Sequence, residues 1–226
     1  TTAFSAATDT IDVSVTAVND APTGLLLITG TVTEDHMLTA DTSSIADADG
    51  LGTFSYQWMR NGVTIVGATS STYTLGDADV GAQISVTVSY TDGQGTNESV
   101  TSAPTAPVMN VNDAPTGLPL ITGTVTEDQT LMVDTSGVAD ADGLGTFSYQ
   151  WLRNGMAIAG VTSSTYTLGD ADVGTQISVT VTYTDGQGTN ESLTSAPTAP
   201  VVNVNDAPLL VTNLGSTVAE GGTDTI

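Results

Sequence analysis

Carboxylates are the side chains of this sequence that recur at spacings able to do chemistry. They stand as Asn19-Asp20, Glu34-Asp35, Asp47-Ala-Asp49-Gly50, Asp77-Ala-Asp79, and Asp92 with Glu98. The set returns 93 residues later as Asn112-Asp113, Glu127-Asp128, Asp140-Ala-Asp142-Gly143, Asp170-Ala-Asp172, and Asp185 with Glu191. A hard cation such as Ca²⁺ takes about six to eight oxygens, mostly from carboxylates and carbonyls. Acidic clusters on loops supply such oxygens, so calcium binding is the chemistry that these spacings suit. Each cluster also has a plain structural reading. Asp47-Ala-Asp49-Gly50 has the composition of an ordinary turn, and Asp92-Gly93 that of a hairpin turn. Asp77-Ala-Asp79-Val-Gly81 reads equally as a capped single turn of helix between two strands. Glu34-Asp35 reads as solvated edge charge, and Asn112-Asp113 before Ala-Pro as extended linker.

Charge narrows the choice of partner. The 226 residues carry 25 Asp and Glu against 2 Lys and Arg, for a net charge of −23. Two arginines cannot make the basic stripe that a nucleic-acid binder needs, and anionic membrane surfaces repel such a chain. The longest apolar run near the start, Leu25-Leu26-Leu27-Ile28, is far too short to cross a bilayer. No cysteine is present, which removes disulfide frameworks, zinc-thiolate sites and thiol catalysis. Enzyme chemistry in general is not expected. A Ser-His-Asp triad would have only His36, and position 129 of the second copy is Gln. Each copy holds ten acidic residues and one Arg. A surface so charged repels itself unless cations neutralise it. A merely salt-screened acidic coat, without specific sites, is the competing explanation.

The elements that must position these groups are strands. Residues 19–111 align with 112–204 with about 16 differences, mild ones such as Met59/Leu152 and Ser89/Thr182. The period exceeds a solenoid unit and suits a whole sandwich domain. Phe54-Ser-Tyr56-Gln-Trp58 and Ile84-Ser-Val86-Thr-Val88-Ser-Tyr90 alternate with period two, the pattern of half-buried strands. Thr72-Tyr-Thr-Leu75 reads as a shorter strand. Asn61-Gly62 predicts a tight hairpin, because a type I′ turn needs positive φ twice. No stretch sustains a 3.6-residue apolar period. The expected fold is all-β, with about seven antiparallel strands per repeat in two packed sheets. Residues 1–18, ending in alternating Ile11–Val18, read as the last strand of a preceding domain. Residues 205–226 read as the start of a following one, so the chain reads as an excerpt of a longer protein. Trp58 and Trp151 are expected in the two cores, Tyr90 and Tyr183 at corners, and Arg60 and Arg153 in local ion pairs.

The chain resembles the Ig-like and cadherin-like tandem repeats of giant bacterial RTX adhesins. The residues carrying the resemblance are Tyr56-Gln-Trp58-Met-Arg60-Asn-Gly62, Gly67-Ala-Thr-Ser-Ser-Thr-Tyr73-Thr-Leu75, Asp77-Ala-Asp79-Val-Gly81 and the Val-Asn-Asp-Ala-Pro joints. The resemblance implies sandwiches strung end to end and Ca²⁺ at the joints. It also implies type I secretion to the cell surface and a role in adhesion or biofilm formation. Carried over by position, the joint before the first repeat would use Asn19, Asp20, Asp47, Asp49 and Asp92. The middle joint would use Glu34, Asp77, Asp79, Asn112, Asp113, Asp140, Asp142 and Asp185. The last would use Glu127, Asp170, Asp172, Asn205 and Asp206. The linker Met109-Asn-Val-Asn-Asp-Ala-Pro115 departs from the cadherin order of acidic residues, and tandem RTX nonapeptides are absent. The implied function is a calcium-stabilised extender, monomeric, whose partners are the neighbouring repeats of the same chain. The alternatives are a repeat that itself binds a glycan or protein, and an accessory module of a secreted carbohydrate-active enzyme.

Overall fold

In the computed structural model, residues 14–16 and 18–207 are described. The chain divides into two compact units, Thr1–Asp113 and Ala114–Ile226. The sequence period put the boundary after residue 111; the contacts keep Asn112-Asp113 with the first unit. Half of the expected strand Ile11–Val18 lies outside the described residues, and its described part pairs with nothing as a strand. The expected beginning of a following domain lies outside them from residue 208 onward.

The first domain has seven strands: β1 (Leu27–Thr29), β2 (Met37–Asp41), β3 (Ser55–Arg60), β4 (Val63–Thr64), β5 (Thr72–Thr74), β6 (Ile84–Thr91) and β7 (Asn97–Thr101). One sheet has the order β1-β2-β5 and the other β4-β3-β6-β7, all antiparallel. The second domain repeats the plan with β8 (Leu120–Thr122), β9 (Thr130–Asp134), β10 (Ser148–Arg153), β11 (Met156–Ala157), β12 (Thr165–Thr167), β13 (Ile177–Thr184) and β14 (Asn190–Thr194). Its sheets are β12-β9-β8 and β11-β10-β13-β14. Each domain is an Ig-like antiparallel β-sandwich.

Alternation explains which faces close the sandwich. Ile84, Val86, Val88 and Tyr90 of β6 face inward and are buried; Thr87, Ser89 and Thr91 between them are more exposed. Trp58 of β3 is wholly buried, and its Nε1–H donates to the Ser70 carbonyl at 2.9 Å. It packs with Leu38 from the other sheet and with Leu75, Ile84 and Val86 in one core. Trp151, Leu131, Leu168, Ile177 and Val179 form the counterpart.

Turn chemistry follows the sequence closely. Asn61 and Gly62 adopt φ of 47° and 77°, and β3 folds back on β4 there. Gly52 is needed for a different reason: a Cβ there would lie 2.1 Å from the Thr91 carbonyl oxygen. Asp77–Asp79 form a single turn of 3-10 helix leading into β6.

A closing segment completes each sandwich. Val108 bridges Val80, and Met109 bridges Thr33, both in parallel. Val108 N–H donates to Ala82 O, and Gly81 N–H to Val108 O, each at 2.9 Å. Met109 N–H donates to Val32 O at 3.1 Å, and Glu34 N–H to Met109 O at 2.9 Å. The second domain repeats this with Val201 and Val202. The segment therefore belongs to both sheets at once.

Candidate metal centre

Strand direction gives each domain a leading end, where the chain arrives, and a trailing end, where it departs. β6 runs from Ile84 at the trailing end to Thr91 at the leading end, spanning roughly 24 Å at the usual rise per residue. The acidic residues gather at these two ends.

At the trailing end of the first domain, Glu34 precedes β2 and is wholly buried. Its backbone holds it there, N–H to Met109 and carbonyl accepting from His36 Nδ1–H at 2.9 Å. Its Oε2 accepts the Val111 N–H at 3.3 Å, but its Oε1 is buried and has no hydrogen-bond partner. The nearby charges are the carboxylates of Asp77 and Asp113. Burial foremost, then the contact with Asp77, pushes the Glu34 carboxyl up to about 7. A buried carboxylate without a donor or a counter-charge is costly; a proton or a cation removes the cost. The side-chain oxygen of Asn110, in the departing linker, is likewise buried without a donor.

In the second domain the corresponding glutamate is buried at the corresponding place. Glu127 is 1% exposed, and its Oε2 accepts the Val204 N–H at 3.0 Å. One carboxylate oxygen from each of Glu127, Asp170 and Asp206 lies within 4.8 Å of the others. These three groups could hold a metal ion, and their all-oxygen character suits a hard cation such as Ca²⁺. Neither domain contributes Lys to these groups, since the chain has none.

The leading end is built from turns. Asp47 Oδ1 accepts the Asp49 N–H, and its Oδ2 accepts the Tyr90 hydroxyl. Burial first, and then Asp47, pushes the Tyr90 phenol well above its ordinary range. Asp92 turns β6 into β7, its Oδ1 accepting N–H groups of Gln94 and Thr96, while its Oδ2 is buried without a partner. The arriving linker lies on these turns: Asp20 N–H donates to Asp49 Oδ2 at 2.7 Å, and Asn19 Nδ2 to Glu98 Oε1 at 2.7 Å. In the second domain Asp140 takes the Asp142 N–H and the Tyr183 hydroxyl, and Asp185 Oδ2 is again buried and unpartnered. Among the described residues, Asp47, Asp49 and Asp92 form no group of three within 4.8 Å.

One expectation is corrected. The sequence reading set Asp79 beside Asp77 and Asp172 beside Asp170 as metal ligands. The 3-10 turn gives the two members of each pair different surroundings. Asp77 and Asp170 are exposed, whereas Asp79 and Asp172 are 1% exposed and turned into the domain. Asp79 Oδ1 meets Arg60 Nε at 2.7 Å; its Oδ2 accepts the Tyr73 hydroxyl at 2.8 Å and the Gly76 N–H at 3.0 Å. Asp172 does the same with Arg153, Tyr166 and Gly169. Both oxygens are used, so these aspartates are structural. Burial alone would raise Asp172, but Gly169, Tyr166 and Arg153 together hold it below the usual carboxylate range. The expected ion pairs of Arg60 and Arg153 are these. Sequence reasoning overlooked Asn110, which carries no acidic signal, and the backbone N–H groups of Val111 and Val204, which no side-chain pattern marks.

No protein-family model matches the chain, and no curated protein matches it. Among solved structures it is similar to the three N-terminal domains of the bacteriophage RB49 Highly Immunogenic Outer Capsid protein (Hoc), at 18% identity and a TM-score of 0.29. The match covers 79% of this chain and 59% of that one. A TM-score of that size bears on neither mechanism nor partner. No described helix is long and apolar enough to cross a membrane.

Proposed function

We propose that the two domains are calcium-stabilised extender repeats of a large bacterial surface adhesin, serving adhesion or biofilm formation outside the cell. The observation that carries this reading is the trailing-end cluster. A glutamate buried without a counter-charge recurs in both copies, with Asp77 and Asp113 beside one and Asp170 and Asp206 beside the other. A divalent cation there would neutralise the buried carboxylate and draw the linker aspartate onto the domain it leaves. The reading needs no catalytic group.

Extracellular modules bind calcium with Kd of roughly 10⁻⁴–10⁻³ M. The test is small-angle scattering and thermal melting of the chain in about 5 mM CaCl₂, above that range, and again in EDTA. The expected result is a larger radius of gyration and a higher melting temperature in calcium, absent with Mg²⁺ or matched NaCl. Equal effects of Mg²⁺ or NaCl, or no effect of calcium, would show the carboxylates to be a solvated coat.

A further inference from the structure

The two hairpin turns hold a reactive group that the acidic sites do not use. Asn61-Gly62 and Asn154-Gly155 are the only Asn-Gly pairs in the chain, and all four residues are exposed. We propose that Asn61 and Asn154 are latent deamidation sites: the folded hairpin keeps each asparagine unreactive, and a domain modifies itself there only while it is open.

The reaction is intramolecular and needs only water. In an open chain the Gly62 backbone nitrogen gives its proton to solvent and attacks Asn61 Cγ. A C–N bond forms, the Cγ–Nδ2 bond breaks, and ammonia leaves with a proton from solvent. Glycine favours this ring closure, because it has no Cβ to crowd its own nitrogen and the widest choice of backbone angles. Water then opens the cyclic imide. Opening at Cγ gives Asp; opening at the main-chain carbonyl gives isoaspartate, whose backbone runs through the side-chain methylene and is one carbon longer.

The fold withholds the geometry rather than the water. Asn61 is fixed at φ 47°, and both its backbone and its side chain are tied across the turn. Its N–H donates to Gln83 O at 2.8 Å, and its Oδ1 accepts the Gln83 N–H at 3.0 Å. A side chain bonded to a residue 22 positions away is not free to fold back onto Gly62. The second domain repeats the arrangement: Asn154 has φ 48°, donates to Gln176 O at 2.8 Å and accepts the Gln176 N–H at 3.0 Å.

The isoaspartate product has a structural consequence. A two-residue loop fixes hairpin register through its length and its two positive φ angles. Arg60 faces Val63 and Met59 faces Thr64 across this loop. A longer backbone there displaces those pairs on β3, the strand that carries the core Trp58 and the ion-paired Arg60. Asp keeps the backbone length and an oxygen for Gln83. Opening followed by isoaspartate formation is therefore one-way.

The proposal does not rest on the cation, so the test keeps the full chain in EDTA. Chain in mildly alkaline buffer is incubated folded and in urea, beside an unstructured Asn-Gly peptide. Intact mass reports amide turned to acid, and enzymatic methylation counts isoaspartate. In urea, two sites should convert at the peptide's rate, and N61Q with N154Q should abolish them. Folded chain should convert at least about tenfold more slowly, since it reacts only through opening. Equal rates in the two states would overturn the proposal. Q83P with Q176P removes the N–H that holds each side chain, and conversion in the folded variant should rise toward the urea rate; an unchanged rate would overturn the protective role of that bond. Should this variant fail to fold, the comparison of folded and urea-treated chain decides. On removal of urea, N61D with N154D should refold and bury its tryptophans, whereas isoaspartate-bearing chain should not; refolding of the latter would overturn the one-way step.

Discussion

Glu34 and Asp79 are both fully buried carboxylates of one domain, yet they are buried on opposite terms. Asp79 faces Arg60, the Tyr73 hydroxyl and a backbone N–H, so every oxygen has a donor. Glu34 faces Asp77, Asp113 and one backbone N–H, and its Oε1 has none. The two sites lie at the same end of the sandwich, on either side of the 3-10 turn. What separates them is the sign of the charge nearby, and this decides which one holds the fold together and which is left open to a cation.

The largest effect should come from breaking the satisfied site. D79A strands a guanidinium and a phenol, and should cost about 3 kcal/mol, the low end for a buried pair because Arg60 stays a third exposed. Urea denaturation should show the same loss in EDTA and in calcium. The open site should respond in the opposite manner. E34Q should leave the EDTA melting temperature of the first domain unchanged or raised, and abolish its rise in calcium. The pH profile sharpens this second case. Glu34 is raised from 4.5 to about 7 in the folded domain, so without cation its contribution is fully present below about pH 4.5 and is lost as pH climbs through about 7. Melts in EDTA across that window should slope downward for the native chain, and the slope should flatten in E34Q. Smaller still, Y73F removes one hydrogen bond to Asp79 and should cost about 1 kcal/mol. Smallest is H36Q, which installs the residue of the second copy; a change beyond about 0.5 kcal/mol in urea would contradict the equivalence of the two domains.

Much of the fold was legible because it rests on local rules. Period-two alternation in Ile84–Tyr90 marks a strand whatever surrounds it, and Asn61-Gly62 dictates a tight hairpin through positive φ alone. The acidic clusters were legible as clusters for the same reason. Their allocation was not. Asp77 and Asp79 differ in surroundings only because a 3-10 turn rotates consecutive side chains by about a third of a circle, and because Arg60 lies on a strand 19 residues away. Nor could spacing reveal that Val111 N–H would reach Glu34, a contact across 77 residues that exists only once the closing segment has joined the sheets.

The pairing of Arg60 and Arg153 has a practical corollary. They are the only Lys or Arg residues in the chain, so trypsin has two bonds to choose from, after Arg60 and after Arg153. Both arginines sit at the ends of laddered strands with their side chains held by buried aspartates. A protease must wait for each domain to open before it can cut. Three large fragments would then appear, at rates that report the opening of the first and second domains separately, so that two nearly identical domains can be followed one by one without any label.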